Sequence, residues 1–476
     1  MKYTKNTILT NYKENTSFLT LIFLSIIIIA SLFNAKPWQN AEQQNSLIDW
    51  DITSYYSYLP AYFIHNDITL SFTENDSINY AAKHQFWPET SPNGGKVIKT
   101  TMGMSILYAP FFTMAHIYTQ FSNKYPPNGF SMPYEFCLAL SSVFYLIIGI
   151  FFLRKILLKI FNETITSITL ISIILGTNIY YYVTFEPCMS HAYNFSLIII
   201  FIYLVDQWYQ QKKIKYTILL GLIGGLIVLI RPVNIIVFLF FLLYKSNNLY
   251  NKVQLLSKNW YHLCIIGILS ISIIFPQLLY WKHITGEWFF HSYVGEKFFF
   301  QNPHILEFLL SYRSGWLVYT PIMVFSIIGL FLKNINSKDY YYPIVFLLCI
   351  NIYILSAWWC WWYGGSFGMR TMIDVYGFLA IPLSITIMWI LKQNITIKYF
   401  GILIIVSCIY LNIFQTFQKS NNTIHWDSMT KKAYWSNFHK LHLKSKEEWT
   451  TFQQQIQRPD YEKAKKGLDE YNFQPF

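Results

Sequence analysis

Asp49 and Asp51 stand two residues apart, just behind the first strongly apolar run of the chain. Tyr55, Tyr58 and Tyr62 follow at helical spacing, so Asp51 is expected at the start of a short helix at a membrane surface. A carboxylate there can take a proton from a hydroxyl or an amine. It can equally be an N-cap, because aspartate is favoured at that position. Two carboxylates this close can also hold a divalent cation through oxygen ligands. Further ionisable residues sit singly in the polar breaks between later apolar runs. Lys99 precedes Thr-Thr-Met-Gly-Met-Ser; Glu186 and His191 lie in Thr-Phe-Glu-Pro-Cys-Met-Ser-His; Arg231 stands before Pro232. Arg313 lies in Tyr-Arg-Ser-Gly-Trp, and Arg370 closes Trp-Trp-Tyr-Gly-Gly-Ser-Phe-Gly-Met-Arg. Arginine binds phosphate through a two-pronged fork, so these cations are candidate phosphate ligands. His191 can serve a ligand or only hydrogen-bond within the fold. Trp358, Trp359, Trp361, Trp362 and Tyr363 can be an interfacial belt or a stacking surface for a sugar or an isoprenoid. The six cysteines are isolated and show no metal-ligand spacing.

The elements that must position these residues are membrane helices. The 476 residues are 54% hydrophobic and 13% charged, against about 25% charged in soluble domains. That balance excludes a soluble globular enzyme, a disordered chain and a coiled coil. Eleven apolar runs are evident, roughly 18–34, 134–153, 165–183, 190–206, 216–230, 233–244, 260–281, 317–332, 341–358, 372–391 and 398–413. A twelfth, 101–121, is interrupted by Thr101, Ser105, Pro110, Thr113, His116 and Gln120. If it does not cross, Lys2, Lys5, Lys13, Arg154, Lys155, Lys159, Lys212, Lys213, Lys215, Lys245, Lys252, Lys258, Lys333, Lys338, Lys392 and Lys398 fall on one side. The short opposite connections then keep only Arg231 and Arg370. Positive charge favours the cytoplasmic side, so 101–121 is expected as an interfacial helix on the outer face. The net charge of +12 is accordingly topogenic and not the mark of a nucleic-acid partner. The expected fold is an all-α polytopic membrane bundle of about eleven spans, N-terminus inside. Residues 1–413 form the membrane module with a first outer loop at 35–132, and 414–476 form a small outer tail domain. Arg231–Pro232 breaks two short spans; the arginine either snorkels or places a charge over a buried pocket.

The order of these features resembles the GT-C superfamily of integral-membrane glycosyltransferases. It is nearest the protein mannosyltransferase and aminoarabinose-transferase branch, and similar to a bacterial group within it. The carriers are Asp51-Ile-Thr-Ser-Tyr55-Tyr56, Lys99 before the interfacial helix, Glu186 in an outer turn, and Gly225-Leu-Ile-x-Leu-x-Arg-Pro232. The resemblance implies a polyprenyl-phosphate sugar donor used on the outer face of a bacterial cytoplasmic membrane, with a lipid, glycan or protein acceptor. It implies Asp51 as catalytic base and Glu186 as second acid, with Asp49 as the alternative base. Trp50 stands where the family usually has glycine. Lys99, Arg231, Arg370 and Arg313 are the expected donor-phosphate ligands, and Tyr55, Tyr56, His191, Trp362 and Tyr363 the expected sugar or acceptor contacts. No resident metal is expected beyond a divalent cation at Asp49 and Asp51. The other reading is a transporter or flippase of polyprenyl-linked glycans. It would place charges at helix centres, and here they cluster towards one face.

Overall fold

Each apolar run becomes helix, and prolines, glycines and asparagine caps set the boundaries. A computed structural model describes residues 15–41, 46–74, 86–245, 248–332 and 337–468. Lys2, Lys5, Lys13 and Lys333, which carry part of the topological argument, and the end of the tail lie outside the described residues. Six helices among the described residues are long and apolar enough to cross a membrane: Thr16–Asn40, Met132–Leu157, Trp260–Thr285, Lys338–Ser356, Arg370–Leu391 and Ile395–Ser420. The protein is therefore a mostly helical, membrane-embedded chain. Shorter apolar helices occupy Glu163–Leu175, Ile214–Ile230 and Pro232–Leu243. The 101–121 run forms the helix Gly103–Gln120, which is not among the six.

The breaks have local causes. The side chain of Asn162 caps Glu163–Leu175, and that of Asn394 caps Ile395–Ser420, each accepting an orphan first-turn N–H. Run 165–183 stops at Gly176 and resumes as Ile179–Thr184. Run 317–332 splits into Trp316–Tyr319 and Met323–Phe331 around Pro321, which cannot donate to a helical ladder. Arg231 is extended (φ −145°, ψ 103°), as the residue before a proline should be, and a 3-10 turn follows at Pro232–Ile236.

By contact the chain divides into two compact units. The first unit comprises Met1–Ile27, Ile150–Tyr181 and Gly295–Phe476. In that unit the Arg370–Leu391 span is central, with 89% of its apolar window buried. Gly329 lets Met323–Phe331 approach it closely, since a Cβ there would collide with the Pro382 carbonyl. Tail aromatics Tyr434, Trp435 and Phe438 pack on one another, and Tyr434 also packs on Tyr312 at 5.0 Å.

The second unit comprises Ile28–Gly149 and Tyr182–Val294. Its helix Ser190–Gln211 is buried on almost every face. Ile214–Ile230 packs on Trp260–Thr285 through Gly221 and Gly225, where an added Cβ would stand 2.7 Å from Leu269 Cβ and from the Ser270 carbonyl respectively. Small residues four apart allow such close backbone approach in membranes, where helix association rests on packing. This contact fixes the end of the helix that carries Arg231.

Candidate functional site

Asp49, not Asp51, is the N-cap. Asp49 is buried and extended (φ −140°), and its Oδ1 accepts the Trp50 N–H at 3.0 Å. Asp51 lies one residue inside the helix Trp50–Tyr56, in its first turn, and is exposed. A carboxylate in the first turn is favoured by the helix dipole. Between the two aspartates, Trp50 adopts φ +51°, in the left-handed region that favours glycine. Such a conformation costs of order 1–3 kcal/mol in a non-glycine residue. The predicted single helix through Tyr55, Tyr58 and Tyr62 is two short ones, Trp50–Tyr56 and Tyr58–Phe63. Pro60 explains the break, because its ring displaces the hydrogen bond to the Tyr56 carbonyl one turn back.

Glu135 steadies this loop and was not evident from sequence. It is buried in the first turn of Met132–Leu157, and its carboxylate accepts the N–H groups of Leu47 and Ile48, each at 3.4 Å. Its one signal was an acidic residue opening a strongly apolar helix.

The second unit brings several expected residues together through a chain of hydrogen bonds. The Tyr55 hydroxyl meets Ser190 Oγ at 3.3 Å, at the start of the Ser190–Gln211 helix. The next residue, His191, is buried, and Arg231 Nη1 donates to its Nδ1 at 2.8 Å. A guanidinium only donates, so Nδ1 is the acceptor and the imidazole proton resides on Nε2. Ser105 donates to the Tyr55 carbonyl, and Thr101 donates to the Leu229 carbonyl two residues before Arg231. Gly103 allows that junction, because a Cβ there would stand 2.5 Å from the Ile230 nitrogen. Glu186 is half-buried in the turn preceding this helix. Tyr56 is buried and donates to the Gly129 carbonyl at 2.5 Å, which braces its helix against that segment.

Lys99 follows a small hairpin, Glu89–Thr90 paired antiparallel with Lys96–Val97, that the sequence reading did not include. Pro92-Asn-Gly-Gly95 was its signal, a turn sequence for a hairpin. The Lys99 ammonium lies 3.8 Å from Glu89 Oε1 and 5.1 Å from the centre of the Tyr293 ring.

Arg313, Trp362, Tyr363 and Arg370 belong to the first unit. Arg313 is buried; Nη1 donates to the Asp427 carbonyl and Nη2 to that of Gln457 at 3.2 Å, while the guanidinium lies 5.4 Å from the Trp362 ring centre. It ties down the tail. The expected tryptophan belt or stacking surface is largely interior: Trp359, Trp361 and Trp362 are buried, and Trp359 and Trp362 pack on Tyr461. The Tyr363 hydroxyl donates to the Leu355 carbonyl at 3.1 Å. Arg370 is half-buried and opens the 3-10 turn Arg370–Val375, with Asp374 buried one turn on.

Among the described residues no three His, Cys, Asp or Glu side chains converge as a metal site. A hard divalent ion takes six or more oxygens. Asp49 and Asp51 alone would therefore leave most of its shell to backbone and water. The chain matches no protein-family model and no curated protein.

Proposed function

We propose that this protein is a membrane glycosyltransferase of the GT-C type. It moves a sugar from a polyprenyl-phosphate donor to an acceptor on the outer face of a bacterial cytoplasmic membrane. The observation that carries this reading is the Tyr55–Ser190 hydrogen bond, which joins the helix bearing Asp51 to the start of Ser190–Gln211, beside the His191–Arg231 pair. It connects a solvent-accessible carboxylate in sequence and space to a cation held at a helix break. Asp51 takes the proton of an acceptor hydroxyl or amine as that group attacks the anomeric carbon. The bond to the phosphate oxygen breaks with inversion, and polyprenyl phosphate leaves. Cations aimed at the developing phosphate charge lower the barrier; Arg231 and Lys99 are assigned that role. Glu186 is the second acidic group, and no step needs a metal. A donor already in the membrane fits a chain with no glycine-rich phosphate loop following a strand. Mass spectrometry of polyprenyl-linked and envelope glycans in a deletion strain tests the reading. An unchanged glycan profile removes it.

Arg231→Ala is expected to weaken donor binding about 10- to 100-fold, by loss of a charge-assisted contact worth about 1.5–3 kcal/mol. Arg→Lys should rescue only in part, because an ammonium cannot reproduce the fork. Binding of a polyprenyl-phosphate analogue by each purified variant measures this, and unchanged affinity in Arg231→Ala leaves Lys99 as the phosphate ligand.

The same reading requires eleven spans, with 35–132 and the tail outside. Cysteine introduced at Asn128 in a cysteine-free background should react with an impermeant reagent in intact cells, and a reporter fused at Phe476 should report the outer side. A cytoplasmic reporter signal means an even number of spans and sinks the outward-facing mechanism.

A further inference from the structure

Trp50 is strained and exposed at once. Its φ of +51° would suit glycine, and 61% of its surface is accessible. A large side chain in a left-handed conformation is usually retained for packing, yet this ring is not in the core. Its neighbour is a second exposed indole, Trp87, 56% accessible, with ring centres 5.4 Å apart and planes inclined at 57°. Two tilted rings make an open wedge and leave an apolar face on each uncovered. The wedge also joins the two segments that bear the assigned chemistry. Trp50 lies directly between Asp49 and Asp51, and Trp87 lies two residues before Glu89, which meets Lys99.

We propose that Trp50 and Trp87 form the acceptor subsite and that the acceptor is a carbohydrate, one pyranose ring of which lies on the wedge. This rests on the transferase reading above and names its acceptor class. The C–H faces of a pyranose are apolar and match an indole surface, while its rim of hydroxyls needs acceptors such as the exposed Asp51 carboxylate. An anionic lipid surface fits less well, because the wedge is flanked by carboxylates. A hydroxyl of a ring so placed is next to the proposed base. Strain kept at position 50 is explained by this use, since conformational outliers persist where function holds them.

The test uses the purified full chain in detergent, with maltotriose, cellotriose and triacetylchitotriose as probes and tryptophan fluorescence as readout. Trp50→Gly is the informative variant, because it removes the ring while relaxing the backbone. At least one trisaccharide should shift the wild-type signal saturably. Trp50→Gly and Trp87→Ala should each weaken that binding about tenfold or more, with the unfolding temperature of Trp50→Gly unchanged or raised. No shift with any of the three, or undiminished binding by Trp50→Gly, overturns the proposal. So does quenching of the Trp50 signal, taken as wild type minus Trp50→Gly, by brominated lipid and not by saccharide, which would make the pair a membrane anchor. Sugar transfer is read separately. Trisaccharide binding without transfer by the wild type leaves the subsite and removes the transferase reading. Transfer by Trp50→Gly with an unchanged acceptor KM does the reverse.

Discussion

Asp51→Asn should lower turnover about 10²- to 10⁴-fold, the usual worth of a general base, while leaving the fold intact. The structure makes this substitution clean. Asp51 is exposed, in the first turn of Trp50–Tyr56, and does not cap that helix. Asparagine keeps its size and removes only charge and basicity. The comparison variant is Asp49→Asn. Asparagine is as good an N-cap as aspartate, so the amide oxygen can still accept the Trp50 N–H and the loop should hold. Asp49→Asn should therefore cost far less activity than Asp51→Asn, whereas Asp49→Ala should lose about 0.5–2 kcal/mol of local stability. The check is activity beside thermal unfolding for all three. If Asp49→Asn is inactive and Asp51→Asn is normal, the roles of the two carboxylates are reversed. If both are active, the acidic loop is only a helix start, and the base lies elsewhere, with Glu186 the next residue to vary.

Much of the local structure was legible because its causes are local. The break at Arg231–Pro232 was read from the proline, and Arg231 is extended there; the break at Ser57 has as local a cause in Pro60, but one continuous helix was expected. Each of the six long apolar helices overlaps an apolar run read from the sequence. Contacts between residues far apart in the chain are what the sequence does not reveal. The Trp358–Tyr363 segment is aromatic enough for a belt or a stacking platform, and composition cannot distinguish these from a core. Its indoles are buried because the tail, a hundred residues later, brings Tyr461 over Trp359 and Trp362. Nothing near Arg313 in sequence reveals that the carbonyls of Asp427 and Gln457 take its donors. The left-handed Trp50 was equally hidden, since a tryptophan gives no hint of positive φ. The only trace was the glycine expected there from the resemblance. Arg231 was placed at a break, but its partner His191 comes from a helix forty residues earlier and is a tertiary finding.

Arg313→Ala should release the tail. The guanidinium is buried and donates to two backbone carbonyls of the tail, and it lies over the Trp362 ring. Hydrogen bonds to charged groups contribute about 1.5–3 kcal/mol each, and a truncation also leaves the carbonyls unmet. A loss of about 3 kcal/mol or more is therefore expected, which a small tail cannot absorb. The rest of the clamp is concentrated at Asp427. Burial pushes its carboxyl up, but hydrogen bonds from His425, Ser428 and Tyr461 outweigh burial and hold it below the usual carboxylate range, so it is anionic at neutral pH. Its Oδ2 accepts the Tyr461 hydroxyl at 2.7 Å, and Tyr461 in turn packs on Trp359 and Trp362. Removing Arg313 thus unseats the Asp427 backbone on which the tyrosine contact depends. Limited proteolysis should show new cleavage after residue 420 in Arg313→Ala, with Arg313→Lys intermediate because one ammonium cannot span both carbonyls. The same preparation distinguishes the two roles for this arginine. Weakened donor binding with the tail still protected would return Arg313 to the phosphate site. An opened tail with donor affinity unchanged would make it a positioning residue, and would leave Arg231 and Lys99 to hold the leaving phosphate.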